Sequence, residues 1–215
     1  MTATSKQEKL AALFRQAIVI PVLTIERLED AVPLAKALVA GGVRVLEVTL
    51  RTPVAIAAAR AIMADVPEAI VGIGTILNAD DLARAEALGV KFGISPGATP
   101  DLLKAAAASS LPFAPGIATA SELMQALAHG FDLVKFFPAE PSGGIKALRA
   151  LAGPFPDARF CPTGGIGEAN AAAWLSEPNV VAVGGSWLCP AADIRSGNWA
   201  GISAICDRTM KSLKA

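Results

Sequence analysis

Residues 43–51 read Val43-Arg44-Val45-Leu46-Glu47-Val48-Thr49-Leu50-Arg51. β-Branched residues favour extended backbone, in which successive side chains point to opposite faces. With extended geometry through Arg51, Val45, Glu47, Thr49 and Arg51 share one face, and Leu46, Val48 and Leu50 share the other. Apolar residues on both faces describe a strand buried on both sides, as in an all-parallel sheet. A carboxylate in the middle of such a strand is costly, and so informative.

Seven more runs of this kind lie along the chain, at Ala17–Leu23, Ile70–Gly74, Lys91–Ser95, Phe113–Gly116, Leu133–Phe137, Arg159–Thr163 and Val180–Gly184. Helical patterns follow the strands at Leu28–Val39, Val54–Ala64, Ala79–Leu88, Pro100–Ala108, Ala120–Ala128, Ile145–Leu151, Glu168–Leu175 and Trp199–Leu213. Their ends carry the expected punctuation. Asn78 precedes two acids, Pro100 sits at a first helical position, and Gly89 and Gly130 follow last turns. Strict strand–helix alternation predicts an α/β fold, a single (β/α)8 TIM barrel. At 215 residues each unit receives about 27, so the barrel is a short version. No linker divides the chain, and the reading is one domain over 1–215 with an N-terminal helical extension at 1–16. An open doubly wound sheet is the other candidate, but no GxGxxG follows the first strand.

Composition excludes several classes. At 53% hydrophobic and 18% charged, the chain is not disordered. Lys plus Arg and Asp plus Glu each number 19, so no nucleic-acid partner is expected. Cys161, Cys189 and Cys206 are odd in number and widely spaced, which suits neither a disulfide framework nor a zinc knuckle. Charges at Lys6, Glu8, Lys9 and Arg15 precede a short apolar stretch with no cleavage site, unlike a signal peptide. Lys36, Arg44, Arg60 and Glu177 interrupt the longest apolar candidates, so no membrane span or membrane partner is expected. A soluble, cytoplasmic protein is the expectation.

In a barrel, reactive groups sit at the C-terminal strand ends. Glu47 would point inward near that end, either as an acid/base or as half of a structural Glu–Arg pair. Lys135 stands in Leu133-Val134-Lys135-Phe136-Phe137-Pro138. Burial there favours a neutral amine, the nucleophile for a Schiff base, unless the side chain snorkels past the strand end. Thr163-Gly164-Gly165-Ile166-Gly167 and Gly184-Gly185-Ser186 end the last two strands. Glycines let backbone N–H groups approach an anion, and a phosphate site recurs on this pair of loops; tight turns without a ligand are the alternative. Thr75 can donate to a carboxylate or carbonyl oxygen. His129 falls at a helix C-terminus, the wrong end of the unit for catalysis. No His/Asp/Glu cluster has metal-ligand spacing, so neither metal nor cofactor is expected.

Glu47-Val-Thr-Leu-Arg51, Gly-Ile-Gly-Thr75, Ser-Pro96-Gly, Lys135-Phe-Phe137-Pro-Ala-Glu140, Cys-Pro-Thr163-Gly-Gly-Ile and Gly185-Ser186-Trp together resemble the 2-keto-3-deoxy-6-phosphogluconate (KDPG) and 4-hydroxy-2-oxoglutarate aldolases. The resemblance runs from about Pro21 to Pro190. It implies a class I, metal-independent lyase of the Entner–Doudoroff route, usually a homotrimer. Its substrate is a phosphorylated 2-keto acid, cleaved to pyruvate and glyceraldehyde 3-phosphate. By resemblance, Lys135 forms the Schiff base and Glu47 is the general acid/base. Arg51 and Thr75 hold the pyruvyl carboxylate. Pro96 and Phe137 belong to the substrate-binding set, and Thr163, Gly164, Gly165, Gly185 and Ser186 bind hydroxyls and phosphate. Ile73 and Ala98 depart from the common Ala and Leu. A galactonate-derived substrate, 4-hydroxy-2-oxoglutarate, and a phosphosugar isomerase or synthase on the same barrel are the alternatives.

Overall fold

Helix α1 (Ala3–Ala17) leads into strand β1 (Val19–Leu23) in the computed structural model, which describes residues 3–214. The remaining strands are β2 (Val45–Thr49), β3 (Ile70–Gly74), β4 (Gly93–Ile94), β5 (Phe113–Ala114), β6 (Gly116–Ile117), β7 (Leu133–Phe136), β8 (Arg159–Pro162) and β9 (Val183–Gly185). Strands β5 and β6 are two halves of one stave, interrupted at Pro115, which has no N–H to give a neighbour. All pairings are parallel, in the order β5-β4-β3-β2-β1-β9 and β6-β7-β8. Bridges Phe160↔Val180 and Thr163↔Gly184 join β8 to the β9 segment. The staves therefore close into a ring, as the strand–helix alternation predicts.

Helices α2 (Ala31–Ala40), α3 (Ala55–Asp65), α4 (Ala79–Leu88), α5 (Pro100–Ala108), α6 (Ala120–Ala128), α7 (Gly144–Ala152), α8 (Ala171–Leu175) and α10 (Trp199–Lys214) follow the staves in turn, with α9 (Ala191–Ser196) inserted before the last. Asn78 accepts from the Asp81 N–H at 2.8 Å and Thr99 from the Leu102 N–H at 3.2 Å, so the predicted caps start α4 and α5. His129 caps the C-terminus of α6, its Nδ1 2.9 Å from the Gln125 carbonyl.

Leu46, Val48, Ile73, Phe136 and Trp174 belong to the layer between strands and helices. Inside the barrel, Ile20, Val45, Phe92, Ile94, Ala114, Leu133 and Cys161 cluster with Leu10, Ala11 and Phe14 of α1. The segment expected as an N-terminal extension thus plugs the lower end of the ring; residues 1 and 2 of that expectation, and residue 215 of the single domain, lie outside the described residues. Buried Gln7 donates to the Phe113 carbonyl and accepts from the Leu133 N–H, both at 2.9 Å.

Most boundaries shift by one to three residues from expectation, and three of the shifts matter most for the cleft. Strand β2 ends at Thr49, so Arg51 stands in the following turn instead of on the extended face. Helix α8 begins at Ala171 instead of Glu168, because Asn170 Oδ1 accepts the Gly167 N–H at 2.8 Å and keeps residues 167–170 in a turn. The last strand is Val183–Gly185, displaced from Val180–Gly184.

Candidate active site

Glu47 projects from β2 and Lys135 from β7, and they meet inside the ring with Nζ 3.1 Å from Oε1. The residues are 1% and 4% exposed, so this ion pair is held out of bulk water. The lysine does not snorkel, and the partner of Glu47 is Lys135 rather than an arginine. Space for the carboxylate comes from Gly74 on β3: a Cβ there would collide with Glu47 Oε1. Cys161 is the cross-strand neighbour of Lys135. Burial pushes the Cys161 thiol up to about 12, against the pull of the Lys135 cation.

Above the pair lies a cleft of about 640 Å³, lined by Arg51, Phe137, Thr163, Gly164, Gly165, Gly185 and Ser186 among others. The Phe137 ring centroid is 5.4 Å from Lys135 Nζ, which ties the cleft wall to the buried amine. Arg51 reaches the cleft from its turn, and its Nε donates to Thr75 Oγ1 at 3.2 Å. It makes no ion pair among the described residues, which leaves its cationic end for an anionic ligand. Thr75 has φ of 60°, a left-handed conformation rare for a β-branched residue and typical of strained functional turns. Pro96 is not part of the cleft wall; its backbone lies so close to Gly116 that a Cβ there would clash.

The Thr163–Gly167 loop forms the opposite wall. Gly164 and Gly165 have φ of 102° and 77°; the Gly164 N–H faces β9 across the Thr163↔Gly184 bridge, and the N–H groups of Gly165 and Ile166 find no acceptor among the described residues. Such consecutive N–H groups form a concavity suited to an anion. Helices α8 and α9 are only 5 and 6 residues long, so the loop amides, more than a helix dipole, make this wall polar. Cleft residues missed in the sequence are Val22, Thr24, Ile166, Trp187, Cys189, Pro190, Ala191 and Ile194. Pro190-Ala191-Ala192-Asp193, with a proline before the start and an acid in the first turn, was the available signal for α9. Among the described residues, no group of three or more His, Cys, Asp or Glu is placed to hold a metal, and no helix is long and apolar enough to cross a membrane.

The family model for KDPG and KHG aldolase matches residues 10–205. The chain belongs to that family. A KHG/KDPG aldolase of Escherichia coli is 53% identical over 196 residues, covering 91% of this chain and 92% of its own. A 2-dehydro-3-deoxy-phosphogluconate aldolase of Pseudoalteromonas atlantica is 51% identical and covers 92% of each. Among solved structures, the KDPG aldolase of Legionella pneumophila superposes with a TM-score of 0.90 at 47% identity, over 93% of this chain and 97% of the other. That crystal holds pyruvate captured at low pH as a covalent carbinolamine intermediate. This aldolase-family chain therefore shares the α/β barrel of proteins whose chemistry passes through an amine adduct.

Proposed function

We propose that the protein cleaves 2-keto-3-deoxy-6-phosphogluconate to pyruvate and glyceraldehyde 3-phosphate through a Schiff base on Lys135. The observation that carries this reading is the buried Lys135–Glu47 contact of 3.1 Å beneath a cleft with a glycine-rich wall. The aldolase relatives and the carbinolamine in the Legionella enzyme support the same chemistry.

Passing a proton from Lys135 to Glu47 leaves a neutral amine that attacks the C2 ketone. Glu47 gives that proton to the carbinolamine hydroxyl, which leaves as water; the carboxylate is restored and the resulting iminium is an electron sink. Glu47, through a water, removes the C4 hydroxyl proton. The C3–C4 electrons then flow to the iminium nitrogen, releasing the aldehyde and leaving an enamine. Protonation at C3 and hydrolysis return pyruvate and the free lysine. Arg51 and Thr75 hold the pyruvyl carboxylate, and Phe137, beside the amine, bounds the reacting carbons. Thr163, Gly164, Gly165, Gly185 and Ser186 take hydroxyls and the phosphate.

Cleavage of 4-hydroxy-2-oxoglutarate is the second reading, favoured by the double activity in the name of the Escherichia coli relative. We further infer one domain over 1–215, a cytoplasmic location and a homotrimer. The deciding experiment compares kcat/KM for the C4 epimers of the substrate, with and without phosphate, in buffer containing EDTA. The gluconate-derived phosphorylated epimer is expected to lead. Preference for the other epimer, or loss of cleavage in EDTA, would refute the assignment.

A further inference from the structure

Glu140 ends the Lys135–Glu140 motif, yet it does not line the cleft and does not touch the Lys135–Glu47 pair. Its Oε1 accepts the indole N–H of fully buried Trp174 at 2.8 Å and the Asn170 amide at 3.0 Å. The same Asn170 Nδ2 donates to the Gly165 carbonyl at 3.2 Å, while Asn170 Oδ1 accepts the Gly167 N–H at 2.8 Å. Backbone bonds continue the pattern: the Glu140 N–H donates to the Gly164 carbonyl at 3.0 Å, and the Ala139 N–H to the Thr163 carbonyl at 2.8 Å.

Each bond pins one peptide plane of the loop. In a trans peptide the N–H points opposite to the C=O. Holding the carbonyls of Thr163, Gly164 and Gly165 toward residues 139–140 and 170 therefore turns the N–H groups of Gly164, Gly165 and Ile166 the other way. Of these, the N–H groups of Gly165 and Ile166 have no acceptor among the described residues, and both residues line the cleft. The carboxyl of Glu140 also decides which way Asn170 lies, since a flipped amide would set its oxygen against a carboxylate oxygen. Position 165 must stay glycine here, because a Cβ would lie 2.6 Å from Glu140 Cβ.

We infer that Glu140 is a positioning residue: acting through Asn170, it holds the Thr163–Gly167 loop in the shape that turns the free N–H groups of Gly165 and Ile166 toward the phosphate of the substrate. This rests on the reading that the loop is the phosphate subsite. Three variants test it: Glu140→Ala, Glu140→Gln and Asn170→Ala. Three quantities are measured on each: steady-state cleavage of the phosphorylated substrate, calorimetric titration with inorganic phosphate, and borohydride trapping of pyruvate. Glu140→Ala and Asn170→Ala are expected to raise KM and weaken phosphate binding by about tenfold, with kcat and the trapped adduct within about twofold. Glu140→Gln is expected to behave as wild type, since one amide oxygen can accept from both Trp174 and Asn170. Asn170→Ala keeps the Trp174 bond, so it decides the matter should Glu140→Ala fail to fold. Unchanged phosphate binding in folded variants would overturn the inference, as would a Gln variant as impaired as the Ala variant, or a parallel loss of kcat and adduct. Wild-type protein that traps pyruvate but ignores phosphate would sink the subsite reading and this inference together. The phosphate titration needs no turnover, so a failure of the lysine chemistry alone would leave it readable.

Discussion

Glu47 reaches Lys135 because position 74 carries no side chain. Gly74→Ala is expected to push the carboxylate off the amine and lower kcat by about tenfold or more, with the fold retained. Activity together with a thermal melt checks this; full activity would show that the contact is dispensable. The three cysteines supply a second test, since all are buried and free. Burial raises Cys161 and Cys189 to about 12 and Cys206 to about 11. A thiol reagent at pH 8 should therefore leave Cys161 and Cys206 of the native protein unlabelled and modify all three cysteines after unfolding. The sign for stability follows: above the ordinary thiol pKa of about 8.5 the unfolded chain releases protons that the folded chain keeps, so these groups make stability fall as pH rises. Glu47 and Lys135 were legible in the sequence because a charge inside an apolar run is costly without a task. The role of Gly74 was not, since a glycine within a strand signals a close approach without naming the partner.

Helix starts were legible where a local side chain caps them, as at Asn78 and Thr99, because both partners lie within one turn. The docking of α1 was not, because its bonds join residues more than a hundred positions apart, from Gln7 to Phe113 and Leu133. Gln7→Leu would leave both backbone groups buried without a partner. It is expected to cost about 2–6 kcal/mol, at roughly 1–3 kcal/mol for each orphaned group. Urea unfolding of the variant measures this, and a midpoint equal to wild type would mean the plug contributes nothing to the ring. KM should not change, since Gln7 lies at the end opposite the cleft.

The ring as a whole was legible from the alternation of eight apolar runs with eight helical patterns, because a parallel strand needs a crossover helix before its neighbour. The break in the fifth stave follows from Pro115, yet the sequence run Phe113–Gly116 reads straight through it, because a short apolar run does not show where one ladder hydrogen bond is lost. The proposed trimer comes from family resemblance, since hydrophobic periodicity marks no side of the ring for other copies. Sedimentation equilibrium is expected to return three times the chain mass at micromolar concentration. A mass equal to one chain, with full activity, would refute the trimer and show that each ring holds a complete site.

The most direct test is the lysine itself. Incubation with pyruvate and borohydride should add one reduced pyruvyl group to the peptide carrying Lys135, and Lys135→Met should lose both the adduct and cleavage. Cleavage that persists in Lys135→Met, or an adduct found only on another lysine, would contradict the account.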